Sequence, residues 1–290
     1  MHLNNKYQGS YDFDQLKLDH PAIKEFIIKN PNDEDTVNFS DPAAVKTLNQ
    51  ALLQSYYKIE HWDVPPGYLI PPIPSRSDYI HHLSGLAKQS KSDGEVCMLD
   101  IGTGASMIYQ IVATIDYGWK TVGSDIDQVA LDNAQSIIDN NPHLTKGCAL
   151  RHQPDNSSIL NGIIQESDYF DLVVCNPPFH SSAAKAQKAN KRKHRNLNYK
   201  KESSGLNFGG QSNELWFPGG ELAFIKLYIQ ESYNYRSQCG WFTSIVSNQR
   251  HIKSLQEELL VKRATDTRII EMKHGQKVSR ILIWTFRSST

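Results

Sequence analysis

The tetrapeptide Asn176-Pro177-Pro178-Phe179 combines residue types suited to presenting a flat amine for reaction. An exocyclic amine conjugated into a ring is a poor nucleophile because its lone pair is delocalised. The Asn176 side-chain oxygen and the Pro177 carbonyl can each accept one N–H, which turns that lone pair toward an electrophile. Phe179 offers a face on which a base can stack, and Pro-Pro removes two backbone donors and stiffens the turn. With Pro at roughly 5% of residues and Asn and Phe at about 4% each, NPPF arises by chance in a chain of this length about once in a thousand sequences. The plainer alternative is a strand terminator with a buried Phe.

A second constellation is Asp100-Ile-Gly102-Thr-Gly104-Ala-Ser106, followed 25 residues after Asp100 by Asp125. Glycines in such a loop permit backbone torsions and a close ligand approach that a Cβ would forbid. A dinucleotide fingerprint requires a third glycine three residues after the second, and that position is Met107. An acid directly before the loop suits S-adenosylmethionine (SAM), whose ammonium can be held by a carboxylate and backbone carbonyls. Asp125 ends the next strand, where a carboxylate accepts ribose hydroxyls in nucleotide-binding sheets. An ordinary tight turn remains the alternative for the glycine pair alone. Other residues carry less: tandem His81-His82 lacks metal-pair spacing and reads as packing or surface, and His180 reads as a loop residue. Trp216 and Phe217 either close over a ligand or cover the core.

These residues need elements to position them. Asp41-Pro42 followed by AAVKTLNQALLQSYY has an N-cap residue, Pro at the first helical position and apolar residues at helical spacing. The five prolines of 64–76, interleaved with Tyr68, Leu69, Ile70 and Ile73, predict a rigid extended strap, followed by a helix over 77–88. Thereafter short apolar runs alternate with helical ones. VCMLDI, TVGSDID, CALRH and FDLVVC read as strands; MIYQIVATIDYG, QVALDNAQSIID and SSILNGIIQ read as helices. Beyond a basic block come a helix over 221–233, the strand GWFTSIVS, the helix SLQEELL, and the strands TRIIEM and RILIWTF joined as a hairpin through HGQK. Such alternation implies an α/β fold, a mostly parallel sheet covered on both faces, with an antiparallel closing hairpin and a helical N-terminal extension. NPPF then follows the fourth strand, and ligands in open α/β sheets bind beyond the carboxyl ends of strands.

The 290 residues carry 31 Lys+Arg and 31 Asp+Glu, and 39% are hydrophobic, enough for a sizeable core and against disorder of the whole chain. The neutral total is a cancellation. Residues 1–184 balance at −11, residues 185–201 at +8 and residues 202–290 at +3. The middle stretch, with Lys185, Lys188, Lys191, Arg192, Lys193, Arg195, Lys200 and Lys201, suits phosphate binding; a solvated inert loop is the alternative. No window reaches the roughly 18–20 apolar residues of a membrane span, and the N-terminus lacks signal-peptide order. A cytoplasmic protein is therefore expected, with no membrane partner. The cysteines, Cys97, Cys148, Cys175 and Cys239, show no zinc-site spacing and read as core thiols; no metal is expected.

Together, NPPF, DIGTGAS, SRSDYIHHL, GGQSNELWFPGGELAFI, WFTSIVS and GQKVSRILIWTF, with YDF and NFSDPAAVK near the start, resemble the bacterial 23S ribosomal RNA adenine-N6 methyltransferases of the F type. They are also similar to the group containing the human small nuclear RNA N6-adenosine methyltransferase. The resemblance spans nearly the whole chain. It implies a class I SAM-dependent methyltransferase fold with a Rossmann-like seven-stranded sheet, and methyl transfer from SAM, giving S-adenosylhomocysteine (SAH), to N6 of one adenosine. It implies 23S ribosomal RNA, or a large-subunit assembly intermediate, as partner, with no obligate protein partner inferred. By motif it places Arg76, Gly102, Gly104, Ser106 and Asp125 at the cofactor, with Asp100 beside them. A further contact falls in 156–158, with Ser158 as the candidate. Asn176, Pro177, Pro178 and Phe179 hold the adenine. Asp125 stands where relatives have Glu. Residues 1–75 would form a substrate-recognition extension and 76–290 the methyltransferase domain, with 180–218 a basic mobile loop.

Rival readings share the tetrapeptide. They are N6-adenine methylation of another structured RNA or of DNA, and glutamine methylation of a protein, where Tyr usually ends the motif. A non-catalytic RNA-binding module on the same fold is a further rival.

Overall fold

The computed structural model describes residues 1–90, 94–181, 216–274 and 277–288. At its centre lies a seven-stranded sheet of order β5-β4-β3-β6-β7-β9-β8. The strands are β3 (Cys97–Ile101), β4 (Lys120–Asp125), β5 (Cys148–His152), β6 (Phe170–Cys175), β7 (Cys239–Val246), β8 (Asp266–His274) and β9 (Lys277–Thr285). Strands β5, β4, β3, β6 and β7 run parallel. The strand β9 enters antiparallel between β7 and β8, closing the sheet as a hairpin. The chain winds outward in one direction from β3 to β5 and then returns to β6 on the other side of β3. Between β3 and β6 lies the switch point where α/β sheets bind ligands, and the glycine loop and NPPF follow these two strands.

All six residues of β6 are buried, as a central parallel strand requires. Alternate side chains serve different cores. Met98, Leu172 and Val174 join one cluster, and Leu99, Val173 and Cys175 join the other, with Tyr228, Phe242 and Trp284. The helices α4 (Ile108–Tyr117) and α5 (Gln128–Asp139) follow β3 and β4. The Asp127 side chain caps α5 by accepting the Val129 amide at 2.9 Å. A one-turn α6 (Pro142–Thr145) leads into β5, while α7 (Gly220–Asn234) and α8 (His251–Val261) flank β7.

The N-terminal region contributes α1 (Phe13–Asp19), a 3-10 helix Pro21–Phe26, the short antiparallel pair β1 (Ile27–Lys29) and β2 (Asp35–Val37), and α2 (Pro42–Tyr57). Leu16, Leu52 and Tyr57 of this region pack in the same cluster as Met98 of β3 and Ile111 of α4, so one core crosses residue 75. The next helix, α3 (Ile73–Ser90), begins four residues earlier than the sequence predicts, and Ile73–Arg76 form its first turn rather than the end of the strap.

The expected helix SSILNGIIQ is a series of turns. The buried Glu231 carboxylate takes the amides of Ile159 (3.1 Å), Leu160 (2.6 Å) and Asn161 (3.0 Å), and Gly162 sits at φ +83°. Amides satisfied by a carboxylate from α7 have no need of helical carbonyls.

Candidate active site

The glycine loop is shaped by torsion. Gly102 and Gly104 have φ of +70° and +64°, and the amides of Gly102 and Thr103 both donate to the Ser124 carbonyl, at 2.9 and 3.0 Å. A Cβ on Gly102 would meet no protein atom within 4 Å, so the space beside it is open to a ligand. At the position of a third glycine, Met107 itself adopts φ +42°, a left-handed conformation costly for a side chain, while its thioether is fully buried. Beneath the loop, Gln110 donates to the Thr103 hydroxyl at 3.0 Å and accepts from Thr121 at 3.1 Å.

A cavity of about 170 Å³ opens beside this loop at the switch point. Of the sequence candidates, Arg76, Gly102, Gly104, Ser106, Asp125, Ser158, Asn176 and Pro178 line it; Asn156 does so as well. Asp100 does not. It is fully buried under the loop, and neither carboxylate oxygen has a hydrogen-bond partner among the described residues. Burial raises its pKa to about 7, and the neighbouring Asp125 charge adds to the rise, against the Arg76 charge. Asp125 accepts the Gly104 amide at 2.8 Å through Oδ2 and the Asp127 amide at 3.0 Å through Oδ1. Burial pushes its pKa up, although those amides favour the charged form.

Arg76, on the first turn of α3, donates from Nη1 to the Tyr109 hydroxyl at 2.9 Å. Ser158 donates to Asp155 at 2.7 Å. The Asn176 Oδ1 is buried with no hydrogen-bond partner among the described residues, an acceptor kept available where most buried polar atoms are satisfied. The end of β6 is held by Tyr79. Its hydroxyl lies 2.6 Å from Thr243 Oγ1, which donates to the Val173 carbonyl at 3.0 Å, and it accepts the Cys175 amide at 3.4 Å. Pro177 is buried and Phe179 half-buried, and neither lines the cavity.

Trp216 and Phe217 line the cavity together with Phe224, and the Phe217 amide donates to the His180 carbonyl at 3.0 Å. The sequence reading did not single out Pro71, Tyr109, Gln153 or Phe224 as lining residues, nor Leu69 beyond its place in the strap. The Pro-rich pattern around Leu69 and Pro71 was the available signal. His81 bonds Tyr117 and His82 approaches Asp78, both as packing residues outside the cavity. Lys185, Lys188, Lys191, Arg192, Lys193, Arg195, Lys200 and Lys201 lie outside the described residues. Among the described residues no group of His, Cys, Asp and Glu could hold a metal, and no helix is long and apolar enough to cross a membrane. All four cysteines are free.

The match to RNA methyltransferases, by the family model, runs over residues 1–288. The chain belongs to that family. Members of this methyltransferase family similar to it include the ribosomal RNA large subunit methyltransferase F of Bacteroides fragilis, 46% identical over 99% of this chain and 98% of the relative. The enzyme of the same name from Christiangramia forsetii is 45% identical, over 99% and 100%. Among solved structures, the catalytic domain of human METTL16 in complex with the MAT2A 3′UTR hairpin 1 is 28% identical, with TM-score 0.84, over 99% of this chain and 96% of that one. The N-terminal domain of human METTL16 in complex with SAH is 26% identical, with TM-score 0.79, over 99% of each. The chain is thus a SAM-dependent methyltransferase of the Rossmann-like α/β class. Its residues fit that cofactor: the space beside Gly102 is open, the Asp125 carboxylate at the end of β4 could accept ribose hydroxyls, and Arg76, the one Lys or Arg among the described lining residues, could meet a carboxylate.

Proposed function

We propose that this methyltransferase modifies N6 of one adenosine in 23S ribosomal RNA, in the cytoplasm. The observation that carries the reading is the Asn176 Oδ1, buried and without a hydrogen-bond partner among the described residues, on a residue that lines the cavity directly after β6. A neutral amide oxygen there matches an aromatic amine, a donor of two N–H groups. The names of the relatives support ribosomal RNA, and the human neighbour's complex with an RNA hairpin supports a structured RNA as ligand.

The target base must be unpaired or swung out so that its Watson–Crick edge reaches the motif. Asn176 Oδ1 accepts one N–H of the amine and the Pro177 carbonyl accepts the other, which fixes the amine plane and aims the lone pair. Phe179 stacks on the base. SAM, when bound, supplies an electrophilic methyl carried on a sulfonium. With SAM in the cavity, the amine so aimed would accept the methyl, and the pair of the broken carbon–sulfur bond would stay on sulfur. The nitrogen is acidic only after it gains the methyl, so its proton leaves to water and no strong base is required. Residues 1–75 serve recognition of the RNA, and the cations of 185–201 serve its phosphates.

Incubation with labelled SAM and unmodified 23S RNA, with DNA and a release-factor protein alongside, followed by nuclease mapping, tests this. Label confined to N6-methyladenosine in the RNA is expected. Label on DNA or on protein glutamine would replace this reading by its rivals, and no label in any arm would favour an RNA-binding module.

A further inference from the structure

Two residues outside the expected cofactor set tie the glycine loop to the N-terminal region. Trp62 is almost fully buried, and its Nε1 donates to the Ser106 carbonyl at 3.0 Å. Asn133, on α5, donates from one Nδ2 to two carbonyls, that of Ala105 at 2.7 Å and that of Asp63 at 2.9 Å. Loop residues 105–106 and residues 62–63, which lead into the strap, are therefore bridged twice. The strap is in turn held by α2. Gln50 donates to the Trp62 carbonyl at 3.0 Å, Lys46 pairs with Asp63 at 2.6 Å, and Asn49 donates to the Pro71 carbonyl at 2.8 Å. Further along the strap, the Tyr68 hydroxyl donates to Asp127 at 2.8 Å, two residues beyond Asp125.

We propose that Trp62 and Asn133 are positioning residues that couple the N-terminal region to the cofactor loop, so that RNA on the extension and cofactor in the cavity strengthen each other's binding. The second half rests on the proposed RNA substrate; the first does not. A loop whose carbonyls are fixed from α2 changes shape with α2. Residues 62–63 are pinned directly to α2 by Gln50 and Lys46, so a displacement of α2 is passed to them rather than absorbed by the chain in between. Ligands that select the same arrangement of a shared element show reciprocal coupling, typically 5- to 150-fold in affinity.

The test uses the full chain, with Trp62→Phe, which keeps the ring and removes the donor, and Asn133→Leu, which removes both donors at similar volume. Dissociation constants for labelled SAH are measured by equilibrium dialysis, with and without saturating unmodified 23S RNA, on variants whose thermal melts remain cooperative. Both variants should bind SAH about five- to tenfold more weakly without RNA. The wild type should gain at least about fivefold in SAH affinity from RNA, and the variants less than about twofold. Unchanged SAH affinity in both variants overturns the positioning role. A wild-type gain near one, or the same gain in the variants, overturns the coupling. If the wild type fails to bind RNA, the proposed substrate falls, the coupling falls with it, and the SAH measurements still decide the positioning role.

Discussion

Asp125 and Gly104 hold each other across the mouth of the glycine loop, with the carboxylate accepting the backbone amide at 2.8 Å. The residue we propose to take the ribose hydroxyls thus also shapes the glycine loop. Replacing Asp125 by Ala removes both roles. Hydrogen bonds to charged groups contribute about 1.5–3 kcal/mol each, so SAH affinity should fall on the order of a hundredfold, read by calorimetric titration. Asp125→Asn retains an acceptor for Gly104 and should lose less.

Asp100 gives a pH dependence whose sign is fixed by its raised pKa. Its folded value is about 7 against an ordinary 3.8, so the folded state holds a proton that the unfolded chain has lost. Stability falls as pH rises from about 4 to 7, and this contribution is flat above that. At 1.36 kcal/mol per unit of pKa, the ligand-free protein should lose about 3 kcal/mol between pH 5 and 8 from this group. The stability of Asp100→Asn relative to wild type should rise by that order over the same interval in urea denaturation. A pH-independent difference would show that Asp100 is not protonated in the fold.

Asn176→Ala should separate chemistry from stability. Removing a single positioned hydrogen-bonding group typically costs 10²–10³ in turnover, and a loss of at least that size is expected here. Because Oδ1 has no partner to forfeit among the described residues, the melting temperature should stay level or rise, and SAH affinity should remain within about threefold. Retained turnover would refute the assigned role.

Glu231 lies on the far helix, yet it sets the turn that follows Ser158. Glu231→Gln has one acceptor oxygen where three amides converge and should cost about 2–4 kcal/mol in stability. The KM for SAM should rise while RNA affinity holds. An unaltered KM would confine Glu231 to a packing role.

Deleting residues 185–201 removes eight Lys and Arg. Each phosphate neutralised on a single strand contributes about −0.7 to the log–log salt slope of binding. Filter binding to 23S RNA between 50 and 200 mM salt should therefore show a slope flattened by up to about 6. An unchanged slope would remove this block from the RNA interface.

Periodicity carried most of the sheet. The runs around FDLVVC and VCMLDI are local signals, and each became the expected strand. What stayed hidden depends on distant partners. SSILNGIIQ has helical spacing, but its amides belong to a glutamate some 70 residues later. The pair β1 and β2 has three residues per strand, too few for a repeat to register. In the cavity, the glycines, Asp125 and Asn176 were visible from spacing, whereas Arg76 came through family resemblance alone. Tyr109 and Phe224 look like ordinary helix residues in sequence, and only the winding of the sheet turns them toward the cavity.

Met107 shows how letters and torsions part company. Its backbone takes the left-handed turn that glycine would take, while its side chain anchors the loop in the core. The residue name alone hides this turn, and the dihedral angle shows it. Nucleoside-binding turns of this kind are better catalogued by the shape of the chain than by its spelling.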